Sequence, residues 1–102
     1  MIPALQDRID DISEACRRHR VARLDVFGSA LGDDYVRGRS DIDLLVEFCP
    51  MSSREKVEAY FGLLEDLRAL LDARIDLVMK SAIRNPYVAR SIEESRRQVY
   101  AA

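Results

Sequence analysis

The sequence predicts an α/β fold, a small mixed β-sheet flanked by helices, on two observations. Apolar residues recur at helical spacing in three segments, and between those segments lie short runs of strand character bounded by turn residues. The first helical stripe is Ile2, Leu5, Ile9, Ile12, Cys16 and His19, with alternating spacings of three and four. It predicts one helix of about five turns, packed on a sheet by that stripe. Asp7, Arg8, Asp10, Asp11, Glu14, Arg17 and Arg18 form its mixed-charge, solvated face.

Val21 to Phe27 is rich in β-branched and aromatic residues and stops at Gly28-Ser29, which reads as a strand running into a tight turn. An irregular polar stretch from Asp33 to Arg39 follows. Ile42 to Phe48 is the second strand, closed by Cys49-Pro50, and its alternation places Asp41, Asp43 and Leu45 on one face. Ser52 and Glu55 have the spacing of a capping box, and Val57, Tyr60, Leu64, Leu67 and Leu71 form the inner stripe of the helix it opens. Arg74 to Met79 is a third strand, apolar except for Asp76. Asn85 and Pro86 supply an N-cap and an N1 proline for a last helix with Val88 and Ile92 inward. Gln98-Val99-Tyr100 ends as a short strand or an extended tail.

A chain of 102 residues with no repeat, low-complexity segment or linker is expected to form a single domain over residues 1–102. Its 48% hydrophobic and 33% charged residues are those of an ordinary soluble globular protein, which excludes disorder. A formal charge of -2 excludes a protein that coats nucleic acid by charge alone, so no strong nucleic-acid binding is expected. Cys16 and Cys49 lack metal-ligand spacing and are expected as buried thiols in a reducing cytosol. With no basic leader and no apolar window near the ~20 residues of a membrane span, the expected location is cytoplasmic. His19, with no partner nearby in sequence, reads as a partly buried helix-end histidine and not as a catalytic base.

Chemistry concentrates in three places. Asp41 and Asp43, one residue apart on a strand, project from the same face and can converge on a hard cation. In isolation such a pair is ordinarily solvent-exposed. Gly28-Ser29, at the end of the preceding strand, lets backbone approach a phosphate closely, although many turns contain the same dipeptide. Asp76 interrupts an apolar strand and wants a partner: a salt bridge to Arg74 or another base, an exposed sheet face, or, if its strand lies beside the second, the other two aspartates.

Taken together, Phe27-Gly28-Ser29-Ala30-Leu31, Arg39-Ser40-Asp41-Ile42-Asp43-Leu44-Leu45-Val46-Glu47-Phe48 and Arg74-Ile75-Asp76-Leu77-Val78 closely resemble the minimal nucleotidyltransferase family of the DNA polymerase β-like nucleotidyltransferase superfamily. Ile83-Arg84-Asn85-Pro86-Tyr87 and Val99-Tyr100-Ala101-Ala102 extend the resemblance over nearly the whole chain. It implies a polymerase β-like nucleotidyltransferase fold and Mg²⁺-dependent transfer of a nucleoside monophosphate, usually AMP from ATP, to a hydroxyl, with release of pyrophosphate. It further implies two Mg²⁺ ions held by Asp41, Asp43 and Asp76, with Asp76 favouring deprotonation of the attacking hydroxyl. Gly28, Ser29, Ser40 and Arg39 would position the nucleotide phosphates. Several relatives carry a basic residue shortly after the Gly-Ser turn where this chain has Leu31-Gly32-Asp33; Arg37 and Arg39 are the replacements on offer, and Lys80 a weaker one.

Many members of the family resemble antitoxins paired with a HEPN-domain RNase toxin, some of which are silenced by adenylylation of a toxin tyrosine. The expected function is therefore AMP transfer from ATP to a tyrosine of a HEPN toxin partner, with room for an oligomer. The alternatives are a non-catalytic module that blocks its partner, against which the three aspartates argue, and transfer to a small molecule, whose enzymes usually carry an added domain.

Overall fold

A computed structural model describes residues 1–32 and 35–102. Four strands form one sheet in the order β3-β2-β1-β4, where β1 is Val21–Phe27, β2 Ile42–Phe48, β3 Ile75–Met79 and β4 Arg97–Ala101. β1 pairs antiparallel with both β2 and β4, and β2 pairs parallel with β3. A parallel pair needs a crossover, and it is α3, Ser53–Leu71, that carries the chain from β2 to β3. The helices α1, Pro3–Gln6, and α2, Ile9–Arg18, precede the sheet, and α4, Pro86–Ser95, leads into β4. The mixed sheet and its flanking helices are the predicted fold class, and of the two outcomes open for Gln98-Val99-Tyr100, strand or extended tail, the structure has the paired strand.

The two faces of the sheet are chemically unlike. On one, Leu24 and Val26 of β1, Ile42, Leu44 and Val46 of β2, and Leu77 of β3 meet Ile12, Ala15 and Cys16 of α2 and Leu63, Leu67 and Leu71 of α3 in one apolar core. Burial there pushes the Cys16 thiol up to about 12, so this cysteine stays neutral and inert; Cys49 is half-buried. The residues between, Asp25, Asp43, Leu45, Glu47 and Asp76, share the opposite face.

Start and stop signals are realised closely. Ser52 Oγ accepts from the Glu55 amide at 3.2 Å and Glu55 accepts from the Ser52 amide at 3.1 Å, closing the capping box. Asn85 caps α4 by accepting from the amides of Tyr87 and Val88, with Pro86 at N1. The N-terminal stripe is not one helix: it breaks at Asp7-Arg8 into α1 and α2. The Ile2 amide donates to the Ala30 carbonyl at 3.0 Å, and Leu5 is wholly buried, so the first turn is seated against the 3₁₀ turn at Gly28–Leu31 and cannot stay collinear with α2. Two expected inward residues point out instead. Val57 is 53% and Val88 46% exposed, each in the first two turns of its helix, while Leu63, Leu64, Leu67 and Leu71 supply the burial in α3 and Ile92 that in α4. Of the polar stretch, Asp33 lies outside the described residues.

Asp25, only 1% exposed, is the one buried charged residue among the described residues and sits on the polar face of central strand β1. Arg23 Nε donates to its Oδ1 at 3.0 Å, and Arg96 Nη1 faces its Oδ2 at 3.3 Å. Arg96, at the end of α4, also donates to Glu93 at 2.9 Å, so this cluster fastens α4 to the polar face. Removing one partner of a buried ion pair costs about 3 kcal/mol or more. Urea unfolding of Arg96→Ala is expected to show a loss of that size, with most of it recovered in the Asp25→Leu/Arg96→Met double variant, which removes both charges together.

Candidate active site

β1 and β2 are consecutive antiparallel strands, so the turn that ends one lies beside the start of the other. Phe27 pairs with Asp43, and Gly28 follows with φ +71°, a conformation that side chains resist. A Cβ at Gly28 would overlap Asp43 Oδ2. Glycine is thus required twice here, by backbone conformation and by the approach of a carboxylate. Ser29 Oγ lies 3.5 Å from the Asp41 carbonyl oxygen, tying the glycine turn to the loop that leads into β2.

Across the parallel β2–β3 ladder Asp43 stands opposite Asp76. Partial burial, then the charges of Asp76 and Asp41, then a side-chain interaction with Asp76 raise the Asp43 carboxyl to about 6. Among the described residues no Lys or Arg pairs with Asp43 or Asp76, whereas Asp25 on the same face has two guanidiniums. The donor set is oxygen-only, half-exposed and short of positive charge, which is the chemistry that fits a hard divalent cation such as Mg²⁺.

Asp41 is placed differently. Its carboxylate is half-exposed and pairs with Arg74, Nε to Oδ1 at 3.0 Å. Arg74 also donates to the Arg39 carbonyl. Two of the three aspartates are therefore brought face to face and the third is turned to a guanidinium, so among the described residues no three acidic, cysteine or histidine side chains form a ready-made metal cage. The partner considered for Asp76 belongs to Asp41.

The other sequence candidates spread around this centre. Ser40 Oγ accepts from the Val36 amide at 3.0 Å and shapes the loop. The side chains of Arg37 and Arg39 are exposed, and Arg37, Ser40, Asp41, Arg68 and Arg74 line an open cleft of about 960 Å³ at the starting end of β2 and β3. Lys80 pairs loosely with Glu47 at 3.8 Å. His19 is remote: it caps α2 and meets Asp66 of α3 at 2.6 Å, and its ring occupies the space that a Cβ on Gly62 would need. Arg74 is the site residue that sequence reasoning placed wrongly, since pairing along one strand was considered and pairing across to the neighbouring loop was not.

The chain as a whole is similar to known proteins. Residues 9–99 match the model of the nucleotidyltransferase domain family, and the chain belongs to that family and is a nucleotidyltransferase. It is 42% identical over 76 residues to the protein adenylyltransferase MntA of Thermococcus cleftensis, covering 71% of this chain and 69% of that one. Among solved structures it superposes on a chain of a toxin–antitoxin complex with AMP-PNP (TM-score 0.70, 21% identity, 92% of this chain and 73% of that one). It also superposes on a chain of the complex of a tri-AMPylated Shewanella oneidensis HEPN toxin with its MNT antitoxin (TM-score 0.65, 19% identity, 96% and 73%). These two likenesses establish the minimal nucleotidyltransferase fold.

Two outcomes follow from the geometry. A carboxyl raised in the folded state binds its proton more tightly there than in the unfolded chain, so it favours folding below its ordinary range near 4 and loses that advantage as pH rises through about 6. In the presence of a chelator, the stability of wild type relative to Asp43→Asn is expected to fall between pH 4 and 6, measured by urea unfolding at each pH; a constant difference would contradict the crowding. Gly28→Ala, which must displace Asp43 or the turn, is expected to lower nucleotidyl transfer by roughly 10²-fold, as misplacement by about 1 Å does, in an assay of label transfer from ATP.

Proposed function

We propose that this chain transfers AMP from ATP to a hydroxyl of a protein, a tyrosine of a HEPN-domain toxin, and thereby acts as that toxin's antitoxin. The observation that carries the donor half is the opposition of Asp43 and Asp76 without a balancing cation, beside a glycine turn fit for phosphate. The acceptor half is supported by likeness to a protein adenylyltransferase and by the fold shared with the antitoxin of an AMPylated HEPN toxin.

Asp41, Asp43 and Asp76 are the residues that would hold Mg²⁺, whose bound ions neutralise charge on the entering and leaving oxygens of an in-line displacement. Gly28, with no side chain, admits the triphosphate to the strand ends, and Ser29, Ser40 and Arg39 orient its oxygens. Asp76, exposed on the edge strand β3, is the carboxylate that an incoming hydroxyl reaches, and it takes the proton. The hydroxyl oxygen bonds to the α-phosphorus, the bond to the bridging oxygen breaks, and pyrophosphate leaves. No covalent intermediate forms on the enzyme on the way. Acting within the cytoplasm, such an enzyme has ATP and Mg²⁺ at hand, and the partner provides the surface that selects the acceptor.

The test is label transfer from α-phosphate-labelled ATP to a co-expressed HEPN partner with Mg²⁺ present. Asp41→Asn and Asp43→Asn are each expected to lower transfer by roughly 10²-fold or more with near-native unfolding midpoints. Undiminished transfer would sink the assignment of these carboxylates, tight complex formation without label would show a blocking module instead, and label on an aminoglycoside would move the acceptor to small molecules.

A further inference from the structure

We infer that Arg74 is a positioning residue with two stations: it holds the Asp41 carboxylate when no divalent cation is bound, and it turns to an anionic oxygen of the nucleotide when the cation takes that carboxylate. The inference rests on the metal-binding reading of Asp41, Asp43 and Asp76 given above.

Four observations combine. Arg74 Nε is 3.0 Å from Asp41 Oδ1, and a cation that draws on this carboxylate competes with the guanidinium for the same oxygens. The backbone of Arg74 is fixed where this competition occurs, because its carbonyl accepts from the Ile42 amide at 2.9 Å, the residue between Asp41 and Asp43. Its Nη2 donates to the Arg39 carbonyl, so one side chain sets both the carboxylate and the loop that carries it. Finally, the Arg74 side chain is 65% exposed and lines the cleft beside Asp41, so it is not enclosed by packing and can change rotamer once those two contacts are exchanged.

The charge arithmetic gives the exchange a direction. Among the described residues only Asp41 of the three carboxylates is paired with a guanidinium, and Asp43 and Asp76, opposite each other across the ladder, are not. A divalent charge draws Asp41 toward the other two and leaves a planar cation with unsatisfied N–H donors within a side chain's length of the site. A triphosphate arriving with the cation offers that guanidinium oxygens it binds more strongly than a water-exposed carboxylate.

The experiment uses the full chain, ¹⁵N-labelled, titrated with Mg²⁺ and read through the arginine Nε–H signals, with Arg74 assigned by its loss in Arg74→Gln. The Arg74 signal is expected to move with Mg²⁺. Arg74→Gln is expected to bind Mg²⁺ about 2–5-fold more tightly than wild type, the worth of a half-exposed ion pair. Arg68→Gln, which removes the same charge from the same cleft without touching Asp41, should leave the affinity unchanged. At saturating Mg²⁺, Arg74→Gln should bind AMP-PNP roughly tenfold more weakly by calorimetry, the worth of a hydrogen bond to a charged group. A stationary Arg74 signal, an Arg68→Gln effect as large as that of Arg74→Gln, or undiminished AMP-PNP binding would overturn the two-station role. Asp43→Asn separates the two layers: if it abolishes a Mg²⁺ response to which Arg74→Gln is indifferent, only the inference about Arg74 fails, and if wild type shows no response that depends on Asp43, the metal reading fails with it.

Discussion

The register of one parallel strand pair governs this molecule. Aligning β2 with β3 so that Asp43 faces Asp76 places like charges side by side, an arrangement that costs free energy in any sheet. Slipping β3 by one residue would separate the carboxylates, but it would also turn Leu77 out of the core and bring Asp76 into it. The apolar face therefore enforces the repulsion on the polar face. α3, capped at Ser52 and buried along Leu63, Leu67 and Leu71, is the crossover that makes a parallel pairing available at all.

The same polar face contains a buried carboxylate, handled in the opposite way. Asp25 lies on central strand β1, where water cannot screen it, and Arg23 and Arg96 neutralise it from both sides. Asp43 and Asp76 lie toward the β3 edge, where solvent reaches them, and among the described residues no such partner is provided. Asp25, with its built-in counterions, serves the fold by fastening α4. Asp43 and Asp76 have no such role to hold them. Sharing a strand face, the two groups are told apart by what surrounds them and not by residue type.

Much of this was legible in the sequence because it is local. The bounds of β1 and β2, the capping box at Ser52 and the Asn85-Pro86 start of α4 each follow from residues within a few positions of one another. The same is true of the shared face of Asp41, Asp43 and Leu45, a property of strand geometry. What escaped was set by contacts distant in sequence. The break at Asp7-Arg8 answers to the Ile2 amide meeting Ala30, a contact that no periodicity encodes. Val57 and Val88 satisfy helical spacing yet stay exposed. Arg74 was considered as a partner for Asp76, its neighbour two residues along the same strand; the loop before β2 offered Asp41 instead, since the ladder brings Arg74 beside Ile42. Asp25 reads in sequence as one polar residue in a strand, and only Arg96, contributed from the end of α4, explains its burial.

The glycine turn acquires its meaning from these same constraints. Gly-Ser at a strand end is common, and in sequence it gains weight only by proximity to the aspartates. In three dimensions Gly28 is the residue that Asp43 packs against, so the carboxylate has been pressed toward backbone on one side and toward Asp76 on the other. Either contact could be relieved by a small change: a wider turn, or a neutral residue at the facing position of β3. The chain instead retains crowding at this one point while neutralising Asp25 deeper in the sheet, so the crowded carboxylates are carried at the solvent side of a core that does not depend on them.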